Sequence, residues 1–214
     1  MKSKLERRAF ELVDLEIRAA EGESEKIRGY AAVFDKLSVP MWGFREKIDK
    51  GAFSESIKKD DIRALWNHNP DYVLGRNKAG TLALEEDDKG LMIEIDPPDT
   101  QWARDLITSI KRKDVNQMSF GFETEKDEWD RSDEKNVVRT LKKVRLFDVS
   151  PVTYPAYPQA KVGVRTAEEV YNEFLASESQ ADEEARAQEE QRKASQAEAE
   201  ARERELQLLE LEVS

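Results

Sequence analysis

The sequence predicts a mainly β fold with flanking helices, of the α+β class, followed by a long C-terminal helix. Three observations predict it. Apolar and polar residues alternate in several short runs before residue 165, one segment near residue 105 carries apolar residues at helical spacing, and the composition changes after Pro158. With 214 residues there is room for one ordinary domain with its own core plus an appendage, and not for two large domains.

Val13, Leu15 and Ile17 alternate with Asp14, Glu16 and Arg18, the period of a strand with one buried face. Glu21 to Glu25 reads as a polar turn, and Ile27 to Phe34 as the next strand. Further strands are predicted over Ile62 to His68, Leu82 to Glu85, Leu91 to Ile95, Gln117 to Glu123, Val137 to Leu141 and Val144 to Val149. Many short strands divided by polar or glycine-bearing turns suit an antiparallel barrel or a sandwich. Pro97 and Pro98 stop a strand, Asp99 is placed to cap, and Trp102, Leu106 and Ile110 then recur with Ala103 and Ile107 as one face of a helix. A shorter helix is predicted from Ser54 to Lys59.

Phe174 is the last aromatic residue, and from Ser177 onward the chain is dominated by the helix formers Ala, Glu, Gln and Arg. Asp182 and Arg186, Glu189 and Lys193, Glu198 and Arg202, and Glu200 and Arg204 each set an acid four residues before a base, worth roughly 0.2 to 0.5 kcal/mol per pair to a helix. The segment reads as a solvated helix whose one apolar cluster is Leu206, Leu208, Leu209 and Leu211. The division expected is therefore a domain over residues 1–165 and an acidic helical tail over 166–214.

Charge follows the same division. Residues 166–214 hold 15 acids and 5 bases, a net of -10, out of a total of -11 for the whole chain. The remainder is close to neutral and has no basic patch, so no electrostatic footprint for nucleic acid is expected. No apolar run approaches the roughly 18 residues of a membrane span, and the charged start is not followed by a signal-peptide core, so no membrane partner is expected. The absence of cysteine excludes disulfides, a thiolate nucleophile and cysteine-based zinc sites. With one histidine, a zinc site would have to be almost wholly carboxylate, and no cofactor is expected.

Any chemistry that uses imidazole must run through His68, in Leu65-Trp66-Asn67-His68-Asn69-Pro70. Asn69 and Pro70 favour a turn just after it, which puts the ring at a strand end. Ser119 lies in Gln117-Met118-Ser119-Phe120-Gly121-Phe122, where a strand sends Met118, Phe120 and Phe122 to the core and Ser119 and Gly121 to the other face. Asp148, in Leu146-Phe147-Asp148-Val149-Ser150-Pro151, is an acid in an apolar run and needs a partner. Taken one by one, these read equally as a packing histidine, an ordinary strand serine and a turn-capping acid. Taken together they are the residue types of a serine-protease triad, which is defined by geometry and not by chain order.

The chain resembles the prohead proteases of tailed phages, of the Hong Kong 97 type. The resemblance rests on segments in family order: Gly29-Tyr30-Ala31-Ala32-Val33-Phe34, Lys50-Gly51-Ala52-Phe53, Leu65 to Pro70, Val73-Leu74-Gly75-Arg76, Gly80-Thr81-Leu82, Gly90-Leu91, Met118 to Phe122, and Phe147 to Tyr157. Together they cover about residues 10 to 165. The resemblance implies the antiparallel β-barrel of herpesvirus assembly proteases and a serine endopeptidase with Ser119 as nucleophile and His68 as general base. Asp148 falls on the third position, where the family pattern usually has glutamate; Asp127 and Glu123 are the alternatives. It also implies action on the major capsid protein and its scaffold segment, and on the protease itself, inside proheads in the host bacterial cytoplasm. The leucine cluster of the tail is expected to dock a scaffold helix or to serve self-association. Two rivals stand beside the protease reading: a non-enzymatic scaffolding or assembly protein, suggested by the long charged helical tail, and a metal-dependent hydrolase built on Asp87 and Asp88, whose run Glu85-Glu86-Asp87-Asp88 also reads as a solvated turn.

Overall fold

A computed structural model describes residues 4–10, 15–19, 24–154 and 165–213, with residues 10 and 197–213 described by their backbone alone. Val13, Asp14, the first part of the turn at Glu21, and Pro155-Ala156-Tyr157 lie outside the described residues. The chain divides into two compact units, one up to Glu168 and one from Glu169.

The first unit holds two sheets. The larger is formed by β1 (Leu5–Phe10), β4 (Phe44–Ile48), β5 (Arg63–Trp66), β6 (Asn69–Arg76), β9 (Gln117–Asp130) and β10 (Val137–Val152), in the order β1-β9-β10-β5-β6. β4 lies parallel to the first part of β10, over Val137–Leu141, and β5 lies parallel to it at Asp148 and Val149. The smaller sheet is antiparallel: β2 (Glu16–Arg18), β3 (Lys26–Val33), β8 (Gly90–Ile95) and β7 (Leu82–Glu86).

The strand patterns explain how the sheets meet. Ile27 on β3 and Leu91, Ile93 and Ile95 on β8 are fully buried, as are Met118, Phe120 and Phe122 on β9, and all belong to one apolar cluster with Leu146 and Val149 of β10. Helix α2 (Gln101–Lys111) adds Ala103, Leu106, Ile107 and Ile110 from its buried face, at the spacing read in the sequence. Its N-cap is Thr100, one residue after the expected Asp99, and makes no side-chain capping bond. The short helix α1 (Ser56–Lys59) lies within the predicted segment. Phe53 meets Phe120 edge-on at 5.4 Å, an arrangement worth about 0.5 to 1.5 kcal/mol beyond the burial itself.

Two expectations are corrected. The strands form two sheets and do not close into a barrel, and the larger sheet is mixed, not purely antiparallel. Alternation shows that a strand buries one face but not which strand lies beside it, and closure needs tilt and stagger to agree around the whole circuit. Here the edges are β1, β6 and the branching strand β4, which pairs with β10 alone, in one sheet and β2 and β7 in the other. Moreover, the predicted strands 137–141 and 144–149 are one strand, β10, with irregularities at Leu141/Lys143 and Lys143/Val144.

The second unit consists of residues of the helix α3 (Ala167–Val213). Glu189 pairs with Arg192 at 3.2 Å and with Lys193 at 3.5 Å, the latter one of the acid-base spacings read from sequence. The backbone of Leu206, Leu208, Leu209 and Leu211 is helical, and their side chains lie outside the described residues.

Candidate active site

Ser119 is placed by the alternation of β9. Its neighbours Met118 and Phe120 fill the core, so its own side chain and the position of Gly121 face the opposite side. On that face Ser119 stands between Ala9 of β1 and Ser150 of β10, and Gly121 stands between Arg7 and Asp148.

Asp148 reaches that face through a β-bulge. Unbroken alternation from Leu146, which pairs with Phe122, would put Asp148 on the core side. The register instead shifts between Leu146 and Asp148, leaving Phe147 as the extra residue, so Asp148 pairs with Gly121 and Ser150 with Ser119. Gly121 is required here because an added Cβ would overlap Asp148 Oδ2.

His68 comes from the β5–β6 hairpin. Trp66 pairs with Asn69, and the two residues between them, Asn67 and His68, have φ of 55° and 56°. Two successive left-handed residues make the turn that matches the twist of paired strands, and asparagine tolerates that region while histidine does so at a cost. The turn is tied to the end of β10: Asn67 N donates to Pro151 O at 3.0 Å, Thr153 N to Asn67 Oδ1 at 2.9 Å, and Asn67 Nδ2 to Thr153 Oγ1 at 3.3 Å.

The three side chains predicted from sequence meet. His68 Nε2 lies 2.7 Å from Ser119 Oγ, and His68 Nδ1 lies 2.5 Å from Asp148 Oδ1. An ionised carboxylate only accepts, so Nδ1 carries the hydrogen toward Asp148, and in the neutral ring Nε2 is left as acceptor for the serine hydroxyl. Ser150 Oγ also donates to Asp148 Oδ1, at 2.7 Å. Ser119 Oγ has a second acceptor, Arg8 O, at 2.9 Å. When the ring is doubly protonated, Nε2 donates to Oγ and the hydroxyl hydrogen turns to Arg8 O, so the backbone of β1 accommodates the charged ring. Ser119 is fully buried, and His68 and Asp148 are nearly so.

The alternative acids lie elsewhere. Asp127 accepts from Arg139 Nε at 2.7 Å, and Glu123 pairs with Leu5 and Arg145 further along the sheet. Asp87 ties the β7–β8 turn, accepting from Lys89 N and Gly90 N, and its bond from Tyr30 OH holds its carboxyl below the usual range. Asp88 pairs with Lys50. Among the described residues no group of three or more His, Asp or Glu side chains is placed to hold a metal ion.

Reading the sequence missed Ser150, Asn67 and Thr153 as supports of the site. The signals were available: an Asn directly before the one histidine, and a Ser two residues after the acid on the same strand.

No curated protein and no solved structure gives a significant match to this sequence. The sequence profile of the family described as caudovirus prohead serine protease matches residues 13–173, a span that contains His68, Ser119 and Asp148. This chain belongs to the caudovirus prohead serine protease family.

Proposed function

We propose that the chain is a serine endopeptidase that cleaves the capsid protein, its scaffold segment and itself during phage prohead maturation. The observation that supports this is the unbroken hydrogen-bonded line from Ser119 Oγ through His68 to Asp148 Oδ1. In this reading His68 Nε2 takes the hydroxyl proton as Oγ attacks a peptide carbonyl carbon, and then gives it to the departing amine. Asp148 holds the Nδ1–H tautomer and offsets the charge of the imidazolium. A second water-driven cycle releases the acyl group. Ser119 is fully buried, so Oγ must become accessible for a peptide carbonyl to reach it. The body of residues 1–165 carries this chemistry, and the acidic tail of residues 166–214 locates the enzyme among assembling proteins in the host cytoplasm, its leucine cluster offering a surface for a scaffold helix or a second copy.

Cleavage of co-expressed capsid protein tests the reading, with circular dichroism as the folding control. Ser119→Ala and His68→Ala should each fold and lose nearly all processing, a fall of about 10^3-fold or more. Normal processing by either folded variant would leave the non-enzymatic assembly protein as the better reading.

A further inference from the structure

We propose that Arg7, on the edge strand β1, is a positioning residue whose charge acts on the Asp148 carboxylate across Gly121 and so sets the proton affinity of His68. This rests on the peptidase reading above, with Asp148 as the residue that orients His68.

The register brings the groups together. Arg7 pairs with Gly121, and Gly121 pairs with Asp148, so the three form one row across β1, β9 and β10. Side chains in such a row lie on the same face of the sheet. The middle position has no side chain, and Asp148 Oδ2 occupies the space a Cβ would fill there, turned toward β1. Oδ1 is already committed to His68 Nδ1 and Ser150 Oγ. The second carboxylate oxygen is therefore directed at the strand that carries Arg7, through a gap that only glycine leaves open.

The state of Arg7 fits this role. It is half-buried, and its Nε is buried with no hydrogen-bond partner among the described residues. Its neighbours Glu6 and Arg8 point to the other side of β1, where Arg8 binds Glu46 at 2.7 Å. Burial holds the Arg7 guanidinium below its ordinary pKa, and the negative charge of Asp148 pulls it back up. Among the described residues, the groups bonded to Asp148 or set beside it by strand register are His68 from the β5–β6 turn, Ser150 from β10, Arg63 from β5 and, one strand further across Gly121, Arg7 from β1. Of the two cations, Arg63 is engaged by Asp61 at 3.2 Å. Arg7 is the one left to act on the carboxylate.

His68 is the only histidine, so its ring resonances can be titrated by NMR without overlap. In a Ser119→Ala background, Arg7→Met should raise the His68 midpoint by roughly 0.5 to 1 unit, because the Asp148 carboxylate, no longer offset by the guanidinium, then presents its full charge to the Nδ1–H it accepts from. Arg7→Lys, which keeps the charge, should bring the midpoint back most of the way. In an Asp148→Asn background the Arg7→Met shift should largely vanish, since the arginine acts through the carboxylate. With Ser119 present, Arg7→Met should lower kcat about tenfold with little change in KM, and the acid limb of the rate profile should move to higher pH.

An unmoved His68 midpoint would overturn the proposal, as would a shift that persists with Asp148→Asn. A raised KM at unchanged kcat would make Arg7 a substrate contact instead, and loss of folding in both Arg7→Met and Arg7→Lys would make it structural. Should the parent protein cleave no peptide, the peptidase reading fails while the titration still decides whether Arg7 governs the Asp148–His68 pair.

Discussion

A methyl group at position 121 would fall on Asp148 Oδ2, and at this scale one atom separates an ordered site from a displaced one. Gly121→Ala must push the carboxylate along its row or turn it away from His68 Nδ1, because the overlapping atom belongs to the acid and not to a flexible surface side chain. The Phe120 and Phe122 side chains face the opposite side and need not move. On the proposed peptidase reading, the expected result is a folded protein with kcat reduced about 10^2-fold or more, comparable with loss of the Asp148 carboxylate itself. Peptide cleavage with thermal unfolding as control checks this; full activity in Gly121→Ala would mean that Oδ2 does not sit in that gap during catalysis.

The elements show why part of the site was legible in the sequence and part was not. Ser119 was legible because apolar neighbours at every second position fix its face. His68 was legible because it has no competitor in the chain. Asp148 was legible only as an acid that needs a partner: alternation alone assigns it the same face as Leu146, and the bulge at Phe147 that moves it is set by pairing with β9. β1 was missed for a different reason. It lies in the charged start of the chain, where no apolar alternation marks a strand, yet Glu6 is fully buried and Arg8 nearly so, because their partners Glu46 and Arg139 come from distant strands. The β5–β6 turn supplies the test at this scale. Asn67→Gly keeps a residue suited to positive φ but removes both side-chain bonds to Thr153, so stability should change by less than about 1 kcal/mol while kcat falls several-fold. Asn67→Ala loses the conformational preference as well and should also be less stable, by roughly 1 to 2 kcal/mol. Thermal unfolding and steady-state kinetics on the pair separate the two effects; equal activity in Asn67→Gly and the parent would remove the clamp from the account.

Across the first unit, one buried ion network joins four strands. Arg139 on β10 bonds Glu6 of β1 at 2.7 Å and Glu46 of β4 at 2.9 Å, Arg8 bonds Glu46 and Glu6, and Thr124 of β9 donates to Glu6. Burial works against the Glu6 carboxylate, but Arg8 and Arg139 outweigh it and lower its pKa from 4.5 to about 2. A depressed folded-state pKa contributes stability that is complete above the unfolded value and is lost as pH falls through the folded one. The network should therefore give way between about pH 4.5 and pH 2, with roughly 3 kcal/mol at stake for Glu6. Glu6→Gln should cost about 3 to 5 kcal/mol at pH 7, since it leaves buried guanidinium groups short of a counter-charge, and should flatten the acid dependence in that window. Denaturant unfolding from pH 7 to pH 2 measures both.

At the scale of the whole molecule, the boundary of the first compact unit differs slightly from the change in composition. Arg165 N donates to Leu5 O at 2.7 Å, which gives β1 a backbone partner on the side away from β9, and the first compact unit extends to Glu168. Residues 165–168 thus belong with the strand that carries Arg7 and places Arg8 O against the Ser119 hydroxyl. From Glu169 onward the chain is a helix whose side chains as far as residue 196 are mostly exposed and whose acid-base pairs suit water. A chain ending after Glu168 should fold with the stability of the full chain and cleave a peptide at a similar kcat, while being taken into proheads poorly. A chain ending at residue 164 should lose stability, because β1, whose Arg8 O bonds Ser119, gives up the hydrogen bond between Arg165 N and Leu5 O. Thermal unfolding, peptide cleavage and the amount of protease recovered in purified proheads distinguish these outcomes. Unfolding of the 168-residue chain would refute the independence of the body, and its normal packaging would remove the targeting role from the tail.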